Sequence, residues 1–177
     1  MRRLLEHKLD VNFDLPVHFT GSLRHYQQQG YNWLRLLDDL SLGGCLADDM
    51  GLGKTIPRLG LLQWLKEQNR GINMLVVPTS LLYNWEQEAA KFTPELKVHV
   101  HTGNQRLRNA DDFKRVDVLL TSYGILRRDK HLLSEIPFNY IILDEAQAIK
   151  NPETDTTPVC ISVRAQRVLT LTGTPID

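Results

Sequence analysis

Short apolar runs alternate with longer amphipathic stretches along most of this chain, and that alternation restricts its fold more than any other feature. Residues 44–47, 72–77, 96–100, 117–120, 140–143 and 168–171 are strand-sized and rich in Val, Ile and Leu. Between them, 54–68, 81–92 and 123–133 carry apolar residues at helical spacing. An earlier helix is predicted from Leu23, where Leu23, Tyr26, Tyr31, Trp33, Leu34, Leu37 and Leu40 recur on one stripe, with Gly30 as its weak point. Strands alternating with helices predict βαβ units and a parallel sheet. The strands are apolar throughout, as strands covered on both sides must be. The expected fold class is therefore α/β, a three-layer parallel sheet with helices on both faces. In such sheets ligands sit at the carboxyl ends of the strands.

At 177 residues and 42% hydrophobic, the chain is long enough to enclose a core. Lys and Arg total 21, and Asp and Glu also total 21. That balance excludes a strongly basic nucleic-acid coat and an acidic disordered tail, although local basic patches remain open. No apolar run approaches the ~20 residues that span a bilayer, so no membrane partner is expected. The opening Met1-Arg2-Arg3-Leu4-Leu5 is stopped by Glu6, His7 and Lys8 and does not read as a signal peptide. Two cysteines, Cys45 and Cys160, have no CxxC neighbours, which argues against a zinc site or a disulfide framework and for an intracellular setting. Residues 1–20 read as a polar lead-in containing Pro16, and 21–177 as one domain.

Two stretches carry the chemistry. The first, Ala47-Asp48-Asp49-Met50-Gly51-Leu52-Gly53-Lys54-Thr55, follows a strand and opens a helix. Glycines let backbone N–H groups turn inward, and a helix N-terminus adds partial positive charge. Lys54 would reach the β- and γ-phosphates of a nucleotide, and the Thr55 hydroxyl would ligate Mg²⁺. The strict G-x-x-x-x-G-K-[ST] pattern fails, because Asp48 stands at its first glycine, and an ordinary loop before a helix is the rival reading. Pro57 falls early in that helix, where a lost N–H bond or slight bend is expected. The second stretch, Asn139-Tyr140-Ile141-Ile142-Leu143-Asp144-Glu145-Ala146-Gln147, is an apolar strand that delivers two carboxylates at its end. Asp144 is a candidate Mg²⁺ ligand, and Glu145 a candidate to polarise an attacking water. A solvated Asp-Glu turn is the rival reading. The two stretches together make the two halves of one magnesium-nucleotide site.

These segments resemble the motifs of the SWI/SNF-like ATPase family within helicase superfamily II. Residues 23–34, Leu-Arg-His-Tyr-Gln-Gln-Gln-Gly-Tyr-Asn-Trp-Leu, are similar to the family's opening motif. Asp48 to Thr55 resembles motif I, in which aspartate replaces the first Walker glycine. Residues 76–85 resemble motif Ia, 119–123 motif Ib, 144–152 motif II with its Ile-Lys-Asn-Pro extension, and 171–176 motif III. Gln147, where many members have histidine, is similar to bacterial members.

The resemblance implies a RecA-like lobe with ATP and Mg²⁺ as cofactors. It assigns adenine reading to Gln27, and phosphate and metal holding to Gly51, Gly53, Lys54 and Thr55, with Asp49, Met50 and Leu52 completing the loop. Asp144 and Glu145 become the metal-binding and water-activating pair, which together with Lys54 carry the catalysis; Thr55 and Asp144 are the metal ligands. Pro78, Thr79, Ser80, Thr121 and Ser122 are implied to lie on a DNA face. Gln147, Thr172, Gly173 and Thr174 are implied to couple that face to the nucleotide.

The implied function is a DNA-dependent ATPase that translocates on double-stranded DNA and remodels protein–DNA complexes, with nucleosomes or RNA polymerase among the possible targets. The location would be cytoplasmic in a bacterium and nuclear in a eukaryote. Family members need a second RecA-like lobe that brings arginine fingers, so this stretch reads as the first lobe only, with weak turnover by itself. A non-catalytic nucleic-acid- or protein-binding module on the same fold and a strand-separating helicase are the alternatives. Two departures stand out: Pro57 replaces a usual glutamine, and 154–161, with Pro158, is polar where members carry a basic helix.

Other features have plainer readings. Trp33, Trp64 and Trp85 are expected to pack in the core. His99 and His101 share a strand face as a satisfied or exposed pair, and the six histidines show no metal-ligand spacing. Arg106, Arg108, Lys114 and Arg115 form either a solvated face or a phosphate-contacting one, as do Arg127, Arg128 and Lys130.

Overall fold

A computed structural model of the chain describes residues 11–40, 44–47, 55–144 and 165–172. In chain order the regular elements are α1 (His25–Asp39), β1 (Gly44–Ala47), α2 (Thr55–Glu67), β2 (Asn73–Val77), α3 (Leu82–Phe92), β3 (Val98–Val100), β4 (Val118–Ser122), α4 (Tyr123–Arg128), α5 (Lys130–Leu133), β5 (Phe138–Leu143) and β6 (Ala165–Thr172). Short 3₁₀ turns lie at Thr79–Leu81, Gly103–Gln105 and Ala110–Arg115.

The six strands form one sheet in the order β1-β6-β5-β2-β4-β3. Every neighbouring pair is parallel. Successive side chains of a strand point to opposite faces, so the central strands feed two cores. Leu75, Val77, Val118, Leu120, Tyr140 and Ile142 pack on one face with Leu59, Leu62 and Leu65 of α2 and Trp85 of α3. Met74, Val76, Leu119, Ile141 and Leu143 pack on the other with Leu126 of α4, Leu133 of α5 and Phe113. This is the three-layer parallel arrangement expected from the apolar runs.

Gly30 does not break α1, which runs unbroken from His25 to Asp39. A Cβ at Gly30 would lie 3.4 and 3.5 Å from ring carbons of Pro57, and a Cβ at Gly60 would lie 3.0 and 3.2 Å from the ring of Tyr31. The two missing side chains thus let α1 and α2 approach closely. Pro57 neither ends nor interrupts α2. It is the third residue of the described part of the helix, and the residues just before Thr55 lie outside the described residues.

The single helix predicted over 123–133 is two helices, divided at Asp129. Asp129 accepts hydrogen bonds from His101 (2.7 Å) and Arg106 (2.9 Å), which hold the residue between the two helices without its side chain capping the second. The strand predicted over 96–100 shortens to Val98–Val100, because Leu96 is buried in a turn and Lys97 N–H bonds the Asp117 carboxylate. The described part of the lead-in is docked, not free: Thr20 N–H bonds Phe92 O at 2.8 Å and Phe19 stacks on Phe92.

A candidate nucleotide and nucleic-acid site at the strand ends

Asp144 follows β5 directly, at the carboxyl edge of the sheet. Its backbone N–H bonds Val76 O of β2 at 2.8 Å, and its carbonyl accepts the Tyr123 hydroxyl at 2.6 Å. The residue is only 3% exposed. Its carboxylate is ion-paired with Arg58, which is 4% exposed. Arg58 lies one turn after Thr55 on α2, so both occupy neighbouring positions of one helix face. The first described turn of α2 is thereby held against the carboxyl end of β5.

A buried carboxylate at a strand end suits Mg²⁺, a hard cation that takes one or two protein oxygens and completes its shell with phosphates and water. Among the described residues no three His, Cys, Asp or Glu side chains converge as an all-protein metal cage.

Gln27 is buried in the first turn of α1, and its side-chain oxygen accepts the Arg24 N–H at 2.8 Å. That contact caps the helix and fixes the amide. Asp49, Met50, Gly51, Leu52, Gly53 and Lys54, together with Glu145, Gln147, Gly173 and Thr174, lie outside the described residues, as does 154–161. Thr172 is described as the last residue of β6, paired with Ala47.

The residues read as a DNA face divide into two groups. Thr79 and Ser80 are exposed and Pro78 is half-buried beside them. Thr79 and Ser122 line an open concavity of about 310 Å³ with Thr102, Gly124, Ile125 and Arg128. Thr121, in contrast, is fully buried and donates its hydroxyl to His101 O at 2.8 Å. Its side chain supports the edge and presents nothing to solvent, which corrects the placement read from the sequence. Ser122 is mostly buried as well, and its hydroxyl accepts the Ile125 N–H to start α4.

Of the basic residues, Arg106 is committed to Asp129, Lys114 pairs with Asp111 at the surface, and Arg128 is exposed at the concavity. Of the tryptophans, Trp85 is buried, while Trp64 is half-covered by the Arg35 guanidinium at 3.7 Å.

Three residues act at this edge without having been singled out for it. Arg58 interrupts an otherwise apolar stretch, and a charge on a helix face that must be buried signals a buried partner. Tyr123 ties the start of α4 to the backbone of Asp144. His101 is fully buried: its Nδ1 accepts the Leu107 N–H at 3.0 Å and its Nε2 faces Asp129. Burial holds its pKa below the usual 6.5, against the opposing pull of Asp129. No local sequence signal separates that role from an ordinary strand histidine.

A parallel α/β sheet with a glycine-loop helix docked on an acidic strand end defines the class: a RecA-like lobe of a helicase-like ATPase. The particular family follows from comparison with known proteins. The model of the SNF2-related domain matches residues 26–177, and the chain belongs to that family. Among similar proteins, YwqA of Bacillus subtilis, which is named as an ATP-dependent helicase or translocase, is 40% identical over 185 positions; these span 99% of this chain and 20% of the relative. Helicase SWR1 of Saccharomyces cerevisiae is 39% identical over 174 residues, 94% of this chain and 12% of the relative. Among solved structures, the SWI2/SNF2 ATPase core of Sulfolobus solfataricus in complex with dsDNA superposes with a TM-score of 0.78 at 37% identity, covering 92% of this chain and 35% of that one. The same core described without DNA gives 0.77 at 38%, covering 91% and 33%. The chain thus spans a fifth or less of these two curated relatives and about a third of each solved chain.

Proposed function

We propose that this chain is the ATP-binding first lobe of a DNA-dependent ATPase that translocates on double-stranded DNA and remodels protein–DNA complexes, with 21–177 as the lobe and 1–20 as its lead-in. The observation that carries this reading is the Arg58–Asp144 contact, which holds the first turn of α2, beginning at Thr55, against the acidic end of β5. Thr55 and Asp144 would hold Mg²⁺, which when bound supplies charge neutralisation at the β- and γ-phosphates. Lys54 would draw charge from the γ-phosphate, and Gly51 and Gly53 would turn the loop N–H groups toward it. Glu145 would orient the water for in-line attack. Gln27, its oxygen already fixed, would offer its amide N–H to the adenine.

A second RecA-like lobe would close the site and bring arginine fingers, worth about 10³–10⁵ in related phosphoryl transfers, so turnover by this chain alone is expected to be very slow. Double-stranded DNA would run over Pro78, Thr79, Ser80 and the concavity beside Ser122. Gln147, Thr172, Gly173 and Thr174 would report its presence to the nucleotide. Nucleosomes or RNA polymerase are the classes of DNA-bound target that fit, and the setting is intracellular.

Calorimetric titration of the chain with Mg²⁺ and a non-hydrolysable ATP analogue is the direct test. Binding that Lys54→Ala weakens at least about tenfold, or 1.4 kcal/mol, is the expected result. Binding indifferent to Lys54 and Asp144 would sink the assignment.

A further inference from the structure

Among the described residues, Arg58 is a charged side chain seated directly on the carboxylate assigned to the metal. The pair is almost wholly removed from water, with each side chain 5% exposed. A buried carboxylate without a counter-charge is strongly unfavourable. A guanidinium does not lose its proton within any working pH range, so it remains a full positive charge wherever it goes. A divalent cation approaching Asp144 therefore meets a like charge already seated there. It competes with the guanidinium for that carboxylate. A nucleotide offers the guanidinium a further anionic seat, because phosphate oxygens match its fork as well as a carboxylate does.

We propose that Arg58 is a placeholder cation: it occupies Asp144 in the nucleotide-free lobe and yields it only when metal and phosphate arrive together, so that Mg²⁺ alone binds poorly. The inference rests on the nucleotide-site reading and deepens it, assigning to α2 a positioning residue that sets the order of occupancy. Arg58 touches the metal's ligand and not the reacting atoms.

The test compares the 177-residue chain with its Arg58→Met, Arg58→Lys and Arg58→Met/Asp144→Asn forms. Two measurements are made on each: thermal unfolding with and without MgCl₂ in the absence of nucleotide, and the Mg²⁺ dependence of ATP-analogue binding. In Arg58→Met, Asp144 has lost its guanidinium partner. Mg²⁺ alone should then raise the melting temperature of that form more than it raises that of the unsubstituted chain. The half-saturating Mg²⁺ for analogue binding should fall about tenfold. Arg58→Lys, which keeps the charge but not the fork, should lie between, and the double substitution should abolish the Mg²⁺ response. Should Arg58→Met fail to fold, Arg58→Lys carries the same comparison.

A residue that merely supports the fold would weaken metal binding on removal, so a gain in affinity separates the two roles. An unchanged or weakened Mg²⁺ response in both substituted forms overturns the proposal, whether or not the analogue binds. Absence of analogue binding in every form would instead overturn the nucleotide reading, and the Mg²⁺ melting comparison would still decide the role of Arg58.

Discussion

Two buried aspartates, Asp38 and Asp144, lie near opposite ends of the strands, and the contrast between them separates architecture from chemistry. Asp38, near the end of α1, is bonded by Tyr140 of β5 (2.8 Å), Arg167 of β6 (2.5 Å) and Arg70 beyond α2 (2.6 Å). Tyr140 and Arg167 are register partners, and Arg167 also donates to the Tyr140 hydroxyl. This node joins four segments on the flank of the sheet, far from the edge where ligands bind in parallel folds. Asp144 sits on that edge, and its partner belongs to the helix that opens after the glycine loop. Burial and pairing are similar in the two, so neither property alone marks a functional carboxylate. On the proposed reading, position relative to the carboxyl ends of the strands does.

The comparison can be broken in several ways. The largest effect on stability is expected from Asp38→Ala, which removes the buried carboxylate shared by Arg70, Arg167 and the Tyr140 hydroxyl. It should cost about 3–5 kcal/mol in chemical denaturation and unlink α1 from β5 and β6. A cost below about 1 kcal/mol would show that the node does not fasten these elements.

Lowering the pH should expose a second difference. Burial pushes the Tyr140 hydroxyl up to about 12, so it keeps its proton across the neutral range. His101, at the opposite edge, is held below 6.5 by burial. Its neutral form is favoured in the folded state, so its contribution is fully present above pH 6.5 and is lost as the pH falls through the depressed folded value. The denaturation midpoint should drop on acidification by no more than about 1.4 kcal/mol per pH unit from this group, and His101→Gln should flatten that slope. An identical slope in the variant would remove His101 from the account.

A smaller effect, about 1 kcal/mol, is expected from Tyr123→Phe, which takes a donor from the Asp144 carbonyl. The smallest change in stability should follow exchange of both members of the ligand-edge pair, Arg58→Met with Asp144→Val. Well-packed apolar replacements of buried ion pairs are often neutral or stabilising. Stability retained while Mg²⁺-dependent analogue binding disappears would show that this pair is kept for chemistry. A stability loss as large as that of Asp38→Ala would erase the distinction.

The layered fold was legible because it rests on burial from both faces, which writes itself as uninterrupted runs such as Ile141-Ile142-Leu143. Asp144 and the glycine-loop helix were legible because spacing along the chain places them at strand ends. Thr121 was misplaced because motif position says nothing of which way a hydroxyl turns, and here it turns inward to His101 O. The Asp38 node and the Arg58 pair were missed for a related reason. Each joins residues distant in sequence, 86 positions apart for Arg58 and Asp144 and 129 for Asp38 and Arg167. Their partners are chosen by the register of β5 and β6 and the crossing of α2, which no local pattern encodes. The helix break at Asp129 has the same origin, in contacts from His101 and Arg106.

The order of strands also carries a consequence for the timing of assembly. Among the described residues, β1 has one neighbour in the sheet, β6, which places Gly44 beside Leu169. A chain emerging from the ribosome has made β2, β3, β4 and β5 before β1 can take its place, and such distant pairings close late. The strand that leads into the glycine loop is thus among the last to dock. On the proposed reading, the loop that follows β1 would gain its place to hold a nucleotide only once nearly the whole sheet exists.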